Sequence, residues 1–426
     1  MPDISFSNIS PFDKNYHYSE LPLYVHVPFC RKKCGYCDFF SHPSQNRQLQ
    51  EKVVSGILIQ MESLLQSLEP ERIPSIYIGG GTPNSLPPKL FQKLIKGIHA
   101  LASPYLQSYL QSTSFEWTVE LNPELITDEQ LFFLKDTAVN RLSLGVQSFS
   151  QYSLDLIERN AGITETLTGL SRVADHWDKR WNLDIITGVP AQSIEDAVYD
   201  INSALSYNPS HISLYTLGIE AHTPLYEKVQ SGKILPKSCD DTAEFLLHLW
   251  EILREKGFRH YEISNFALPQ EESRHNLYYW HLQPYAGLGP GAVSTLRAPQ
   301  GNPARLIIPP AMHEFASSDN PISLLEGESV SPHQFLLEYL MMGLRTIPGI
   351  DIEAFKSIFN VELQDLLAET LQEHLRRKNM RLHTVDAHTY ISLTEAGMMI
   401  LDHILVQGAR EIENHKELPL ALHWPL

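Results

Sequence analysis

Short apolar runs suited to β-strands alternate with longer amphipathic stretches about six times over residues 21–260, and this alternation limits the fold more than any other feature of the chain. The runs lie at 21–29, 73–79, 115–121, 141–147, 182–188 and 211–218. Most are apolar at both odd and even positions, as strands buried on both faces of a parallel sheet must be. The stretches between them follow a helical period, as in 49–68, where Val53, Ile57, Met61, Leu64 and Leu68 share one face. Thr127–Gln130 has capping-box spacing at a helix start, and Ser193–Asp196 is a looser version. Repeated βα units predict an α/β fold with a parallel sheet. Six units are too few for an eight-fold barrel, so the expectation is an open, partial (β/α)6 barrel. In such sheets ligands sit at the C-terminal ends of strands.

The remainder breaks this rhythm. A polar tail covers 1–20 and the barrel 21–260. Residues 261–321 are rich in aromatics, Gly and Pro, and read as packed loop followed, over 298–321, by a surface linker. Residues 322–426 turn helical again around a predicted hairpin at 381–393, which suggests a small C-terminal helical, winged-helix-like domain. A chain of 426 residues exceeds what one core supports, consistent with two domains. The net charge of −17 disfavours nucleic acid as a partner. The first twenty residues lack a signal-peptide pattern and no apolar run reaches transmembrane length, so the expected location is the cytoplasm.

Chemistry concentrates at the strand ends. Cys30, Cys34 and Cys37 follow the first strand in CxxxCxxC spacing, and Cys239 is remote. Three thiolates on one loop can hold three irons of a [4Fe–4S] cubane and leave the fourth iron open. Arg31, Lys32 and Lys33 would offset the anionic cluster. The competing reading is a zinc site completed by His26 or His42. Gly79-Gly80-Gly81-Thr82-Pro83 follows the second strand, where bare backbone can approach a ligand, a tight turn being the plain alternative. Cys239 reads as a buried small hydrophobe.

The segments Tyr24–Cys30 and Cys37–Phe39 resemble the radical S-adenosylmethionine (SAM) superfamily. The resemblance implies that the amino and carboxylate groups of SAM chelate the open iron, and that electron transfer cleaves SAM to methionine and a 5′-deoxyadenosyl radical. By the same resemblance Gly80, Gly81 and Thr82 would contact the methionyl amino group, with Tyr24 and Tyr36 nearby. Glu120 would lie near the ribose, Gln147 would contact the ribose or carboxylate, Arg159 would face the carboxylate, and Asp184 would add a polar contact.

Tyr77–Pro83, Leu144–Ser148 and Ile186–Pro190 narrow the resemblance to the branch holding oxygen-independent coproporphyrinogen III dehydrogenase and the HemW-type heme chaperones. The dehydrogenase has a further cysteine where this chain has Phe39, and a longer extension ahead of its cluster. Both departures favour the chaperone type. His275-Asn276-Leu277-Tyr278-Tyr279-Trp280 resembles the HNxxYW motif associated with heme in that type, which implies heme contact by His275, Asn276, Tyr279 and Trp280, with Arg274 near a propionate. The implied function is to bind heme and transfer it to an acceptor protein, fed by an electron donor. The acceptor is unidentified, and the lack of a transmembrane run in this chain does not exclude a membrane-associated one. The alternatives are the decarboxylating dehydrogenase and a radical SAM enzyme acting on an unrelated substrate.

Overall fold

The six apolar runs form strands β1 (Leu23–Val27), β2 (Ser75–Gly80), β3 (Glu116–Leu121), β4 (Arg141–Gln147), β5 (Arg180–Thr187) and β6 (His211–Thr216). They pair in parallel in chain order. The structure is a computed structural model and describes residues 12–106, 114–415 and 420–425. Helices α1 (Arg47–Leu68), α2 (Pro88–Ala102), α3 (Asp128–Lys135), α4 (Ile163–His176) and α5 (Ile194–Ser206) supply the crossovers. The predicted stripe on α1 is the buried one: Val53, Ile57, Met61 and Leu64 are fully covered. Ser193 and Asp196 make a complete capping box, while Thr127 accepts from the Gln130 amide.

The sheet is open, as expected, but larger than six strands. Arg259–Glu262 is β7 and Asn265–Ala267 is β8, and these extend the β6 edge in antiparallel fashion. Ala286–Leu288 is β9 and pairs in parallel with β1. The order is β9-β1-β2-β3-β4-β5-β6-β8-β7. The expectation of an aperiodic loop after residue 261 is therefore corrected. Its strands of three or four residues and its short helix α7 (Arg274–Trp280) are too brief to display a period. Cys239 opens helix α6 (Cys239–Glu255) and is exposed, so the buried reading is also corrected: position N1 after the Ser238 cap faces outward.

Nor is 298–321 a linker. Val293–Arg297 (β10), Pro303–Ile307 (β11) and Glu326–Ser329 (β12) form an antiparallel sheet. Phe315 on helix Met312–Ser317 is buried against α1, where a Cβ on Gly56 would come within 2.8 Å of its ring. The Pro, Asn and Ser content hides a few anchoring apolar residues: Leu306, Ile308 and Phe315 are each at most 1% exposed. The described part of the tail is not free either. The Asp13 amide donates to the Arg297 carbonyl (2.6 Å), and the Tyr18 hydroxyl accepts from the Arg297 amide (2.9 Å).

The C-terminal region carries helix α8 (Pro332–Gly343), a three-stranded antiparallel sheet built on the predicted hairpin, and a last helix, Leu401–Glu413. It docks on the β7–β8 edge through the Ile263 amide to the Arg345 carbonyl and the Ile347 amide to the Tyr261 carbonyl. Among the described residues no helix is long and apolar enough to cross a membrane.

Candidate cluster site and neighbouring cavity

The cysteine loop leaves β1 and is held by backbone contacts that do not involve sulfur. The Gly35 amide donates to the Ile157 carbonyl (2.9 Å), and the Gly35 carbonyl accepts from the Leu225 amide (2.8 Å). All three cysteines line a cavity of about 350 Å³ at the C-terminal ends of the strands. Their Sγ atoms do not all lie within 4.8 Å of one another. Three thiolates on one zinc ion would sit about 3.8 Å apart, from Zn–S bonds of about 2.3 Å. His26 cannot complete a zinc site as placed: its Nε2 donates to the Phe40 carbonyl (2.8 Å) and its Nδ1 accepts from Tyr24 (3.0 Å). The wider spread fits a cluster, whose irons each take one thiolate.

The glycine segment wraps against the loop. The Gly81 amide donates to the Val27 carbonyl (2.9 Å), the Thr82 amide to the Phe29 carbonyl (2.6 Å), and the Thr82 hydroxyl reaches Cys30 Sγ (3.5 Å). Gly80 has φ +106°, and a Cβ there would lie 2.5 Å from the His26 ring. Only glycine fits this approach.

Eight further predicted residues line the same cavity: Tyr36, Gly80, Gly81, Thr82, Glu120, Gln147, Arg159 and Asp184. Arg159 places Nη1 3.8 Å from Cys34 Sγ and anchors Nη2 on the Gly145 carbonyl (2.6 Å), so its charge lies beside the thiolates. Gln147 is in the left-handed region (φ +72°), and the turn after it is fixed by Asp200, which accepts from the Ser148 hydroxyl and the Phe149 amide. Tyr24 is a correction. It is not among the residues lining this cavity: its hydroxyl donates to His26 Nδ1 and its ring packs on the lining residue Tyr77.

Glu120 accepts from the Tyr77 hydroxyl (2.8 Å) and the Gly80 amide (3.2 Å). Burial nevertheless pushes its carboxyl up to about 7, and burial raises Asp184 to about 6. Both are poised to hold a proton or to accept one hydroxyl each. A carboxyl raised on folding gives stability that is lost as pH rises from its unfolded value through its folded one. Thermal stability of the cofactor-free protein should therefore fall between about pH 4.5 and 7 on account of these groups. Glu120→Gln should shrink that fall. An unchanged difference in Tm between pH 5 and pH 7.5 in the variant would contradict this.

A second cavity, of about 760 Å³, opens beside the first and shares Phe39, Tyr215 and Asn276 with it. Its wall is largely apolar and aromatic, with Tyr279, Trp280, Leu282, Tyr285, Met341 and Met342. Helix α7 brings Asn276, Tyr279 and Trp280 to it because Glu116, at the start of β3, accepts from the Ser273 hydroxyl and the Arg274 and His275 amides (3.3, 3.1 and 3.1 Å). The sequence reading missed Glu116, since nothing local marks a strand residue that pins a helix more than 150 positions away.

His275 is a second correction. It is fully buried and does not line the cavity. Nδ1 is 2.9 Å from the Ser75 hydroxyl and Nε2 is 2.9 Å from the Tyr279 hydroxyl, and the ring stacks on Tyr77. Burial lowers its pKa to about 3, which keeps it neutral. Residues 275 and 279 share one helix face, and 276 and 280 share the adjacent one. The motif thus divides unevenly: His275 is structural, Asn276 and Trp280 line the cavity, and Tyr279 does both. Arg274 is not among the cavity residues.

Comparison with known proteins agrees with this geometry. Residues 24–204 match the Radical SAM superfamily and residues 330–400 match the HemN C-terminal domain, so sheet, cysteine loop and cavity together define a radical SAM protein. The heme chaperone HemW of Synechocystis is 33% identical, covering 81% of this chain and 82% of that protein. HemW of Lactococcus lactis is 31% identical, covering 85% and 93%. The chain belongs to the HemW family. The solved structure of Escherichia coli coproporphyrinogen III oxidase (HemN), described as a radical SAM enzyme, superposes with a TM-score of 0.73 over 92% of this chain and 90% of that one, at 18% identity, and so shares the fold.

Proposed function

We propose that this protein binds heme in the larger cavity and passes it to an acceptor protein, with a [4Fe–4S] cluster and SAM in the adjoining cavity. The observation that carries this reading is the 760 Å³ apolar cavity that abuts the cysteine cavity across Phe39. Its volume lies in the range of cofactor sites, about 300–1,000 Å³. Asn276, Tyr279 and Trp280 offer the flat surface and polar edges that a macrocycle needs.

In the first cavity Cys30, Cys34 and Cys37 hold the cluster, and Arg159 balances its charge. Gly80, Gly81 and Thr82 bind the amino-acid end of SAM, and Tyr36, Glu120, Gln147 and Asp184 orient the rest. When bound, cluster and SAM supply one-electron chemistry. This requires an electron donor, and the working location is the cytoplasm. Phe39, 72% exposed, puts a ring rather than a thiol between the two cavities.

Heme titration of the reconstituted protein tests the reading. Trp280→Ala should weaken heme roughly tenfold or more by removing an aromatic wall. His275→Ala should leave the ferric heme spectrum unchanged while lowering stability by about 1–3 kcal/mol, because it orphans Ser75 and Tyr279. Wild-type affinity in Trp280→Ala would remove this cavity as the heme site. A changed ligation spectrum in His275→Ala would restore that histidine as an iron ligand.

A further inference from the structure

Arg305 is the one cation among the described residues that line the larger cavity. It lies on β11, within the stretch that composition marks as a linker. Its Nη1 donates to the Thr295 hydroxyl on the paired strand β10, and its Nη2 donates to Glu338 Oε2 at 2.5 Å. Glu338 lies on α8, in the C-terminal region, and shares a helix face with the cavity residues Met341 and Met342. The Arg305–Glu338 pair therefore ties the C-terminal region to the β10–β11 sheet at the cavity wall.

Both side chains are about three-tenths exposed, 30% and 27%. A pair this wet adds little net stability. It is a poor choice as a structural tie and a good one as an exchangeable contact. Thr295 holds the guanidinium in place whether or not Glu338 is paired with it. A planar guanidinium at the edge of an apolar cavity is the group best matched to an incoming carboxylate, which it can grip with two parallel hydrogen bonds.

We propose that Arg305 anchors a carboxylate of the cavity's ligand, and that this carboxylate takes the place of Glu338. The inference rests on the heme reading above and gives it a polarity: the ligand is an amphipathic macrocycle whose acidic edge points toward β11 and α8. Loading then removes one contact between α8 and the β10–β11 sheet, so the C-terminal region senses whether the cavity is filled. No covalent step is involved; one carboxylate replaces another on the same guanidinium.

The test uses the full-length reconstituted protein, titrated with ferric heme and, separately, with its dimethyl ester, which lacks the carboxylates. Arg305→Gln should weaken heme roughly tenfold, the scale of one charge-assisted contact, and should leave the diester nearly unchanged. Glu338→Gln should do the reverse, tightening heme severalfold by removing the competitor, again with little effect on the diester. Arg305→Lys, which keeps the charge but not the fork, should fall between wild type and Arg305→Gln. A purely structural role for the pair would move both variants in the same direction and with both ligands. That result would overturn the proposal and leave the heme reading intact. If wild type binds neither heme nor the diester, the heme reading itself fails.

Discussion

Replacing Cys34 with alanine is expected to leave a folded protein that holds no [4Fe–4S] cluster after anaerobic reconstitution. Cys34 is buried to 8% exposure and lies 3.8 Å from Arg159 Nη1, so it is the thiolate whose charge this site is built to balance. The loop itself does not depend on its sulfur. Gly35 is fixed through backbone bonds to Ile157 and Leu225, on two different segments of the barrel. Two remaining cysteines cannot hold three irons, so loss should be near complete rather than graded. SAM affinity should fall with it, since the open iron is gone. Iron and sulfide content, with the visible absorbance of the cubane, give the readout. Cys239→Ala is the matched control, because that cysteine is exposed on a remote helix. Full cluster content in Cys34→Ala would contradict the assignment.

Glu116→Ala should destabilise the barrel by about 3–5 kcal/mol, the usual cost of removing one partner from a buried ion pair. Glu116 is fully buried, and Arg141, 2% exposed, lies 3.6 Å from it. Alanine would leave that guanidinium with the Glu271 carbonyl but no carboxylate, and remove three hydrogen bonds from the N-terminus of α7. The helix carrying Asn276, Tyr279 and Trp280 would lose its anchor, so heme affinity should drop as well as the urea midpoint. Glu116→Gln keeps the shape and one acceptor, and should lose less of each. A midpoint unchanged in Glu116→Ala would show that α7 is held by other means.

These two residues also mark how far the sequence could be read. Cys34 sits in a contiguous motif, and the strands that position it are apolar runs of five or more residues, so both were legible from local pattern. The glycine segment and the polar residues at strand ends were legible for the same reason, each being tied to the end of a recognisable strand. Glu116 was not, because its partners lie 157–159 positions away and its own neighbours say only strand. Arg305 was hidden by composition: strands of four and five residues among Pro, Asn and Ser show no clear period. His275 shows a different limit. Its motif was visible, but the direction of a side chain on a short helix is set by what that helix packs against. Here Tyr77 and Ser75 of β2 claim the imidazole. The Tyr24 hydroxyl likewise has a partner that local pattern did not announce, His26 two positions on.

The central claim is that this radical SAM scaffold carries heme rather than oxidising a porphyrinogen. One parallel incubation separates the two most directly: anaerobically reconstituted protein with SAM and reductant, given either coproporphyrinogen III or ferric heme. The account predicts saturable heme binding that Trp280→Ala weakens, and no catalytic formation of protoporphyrinogen. Protoporphyrinogen produced at repeated turnover would contradict it.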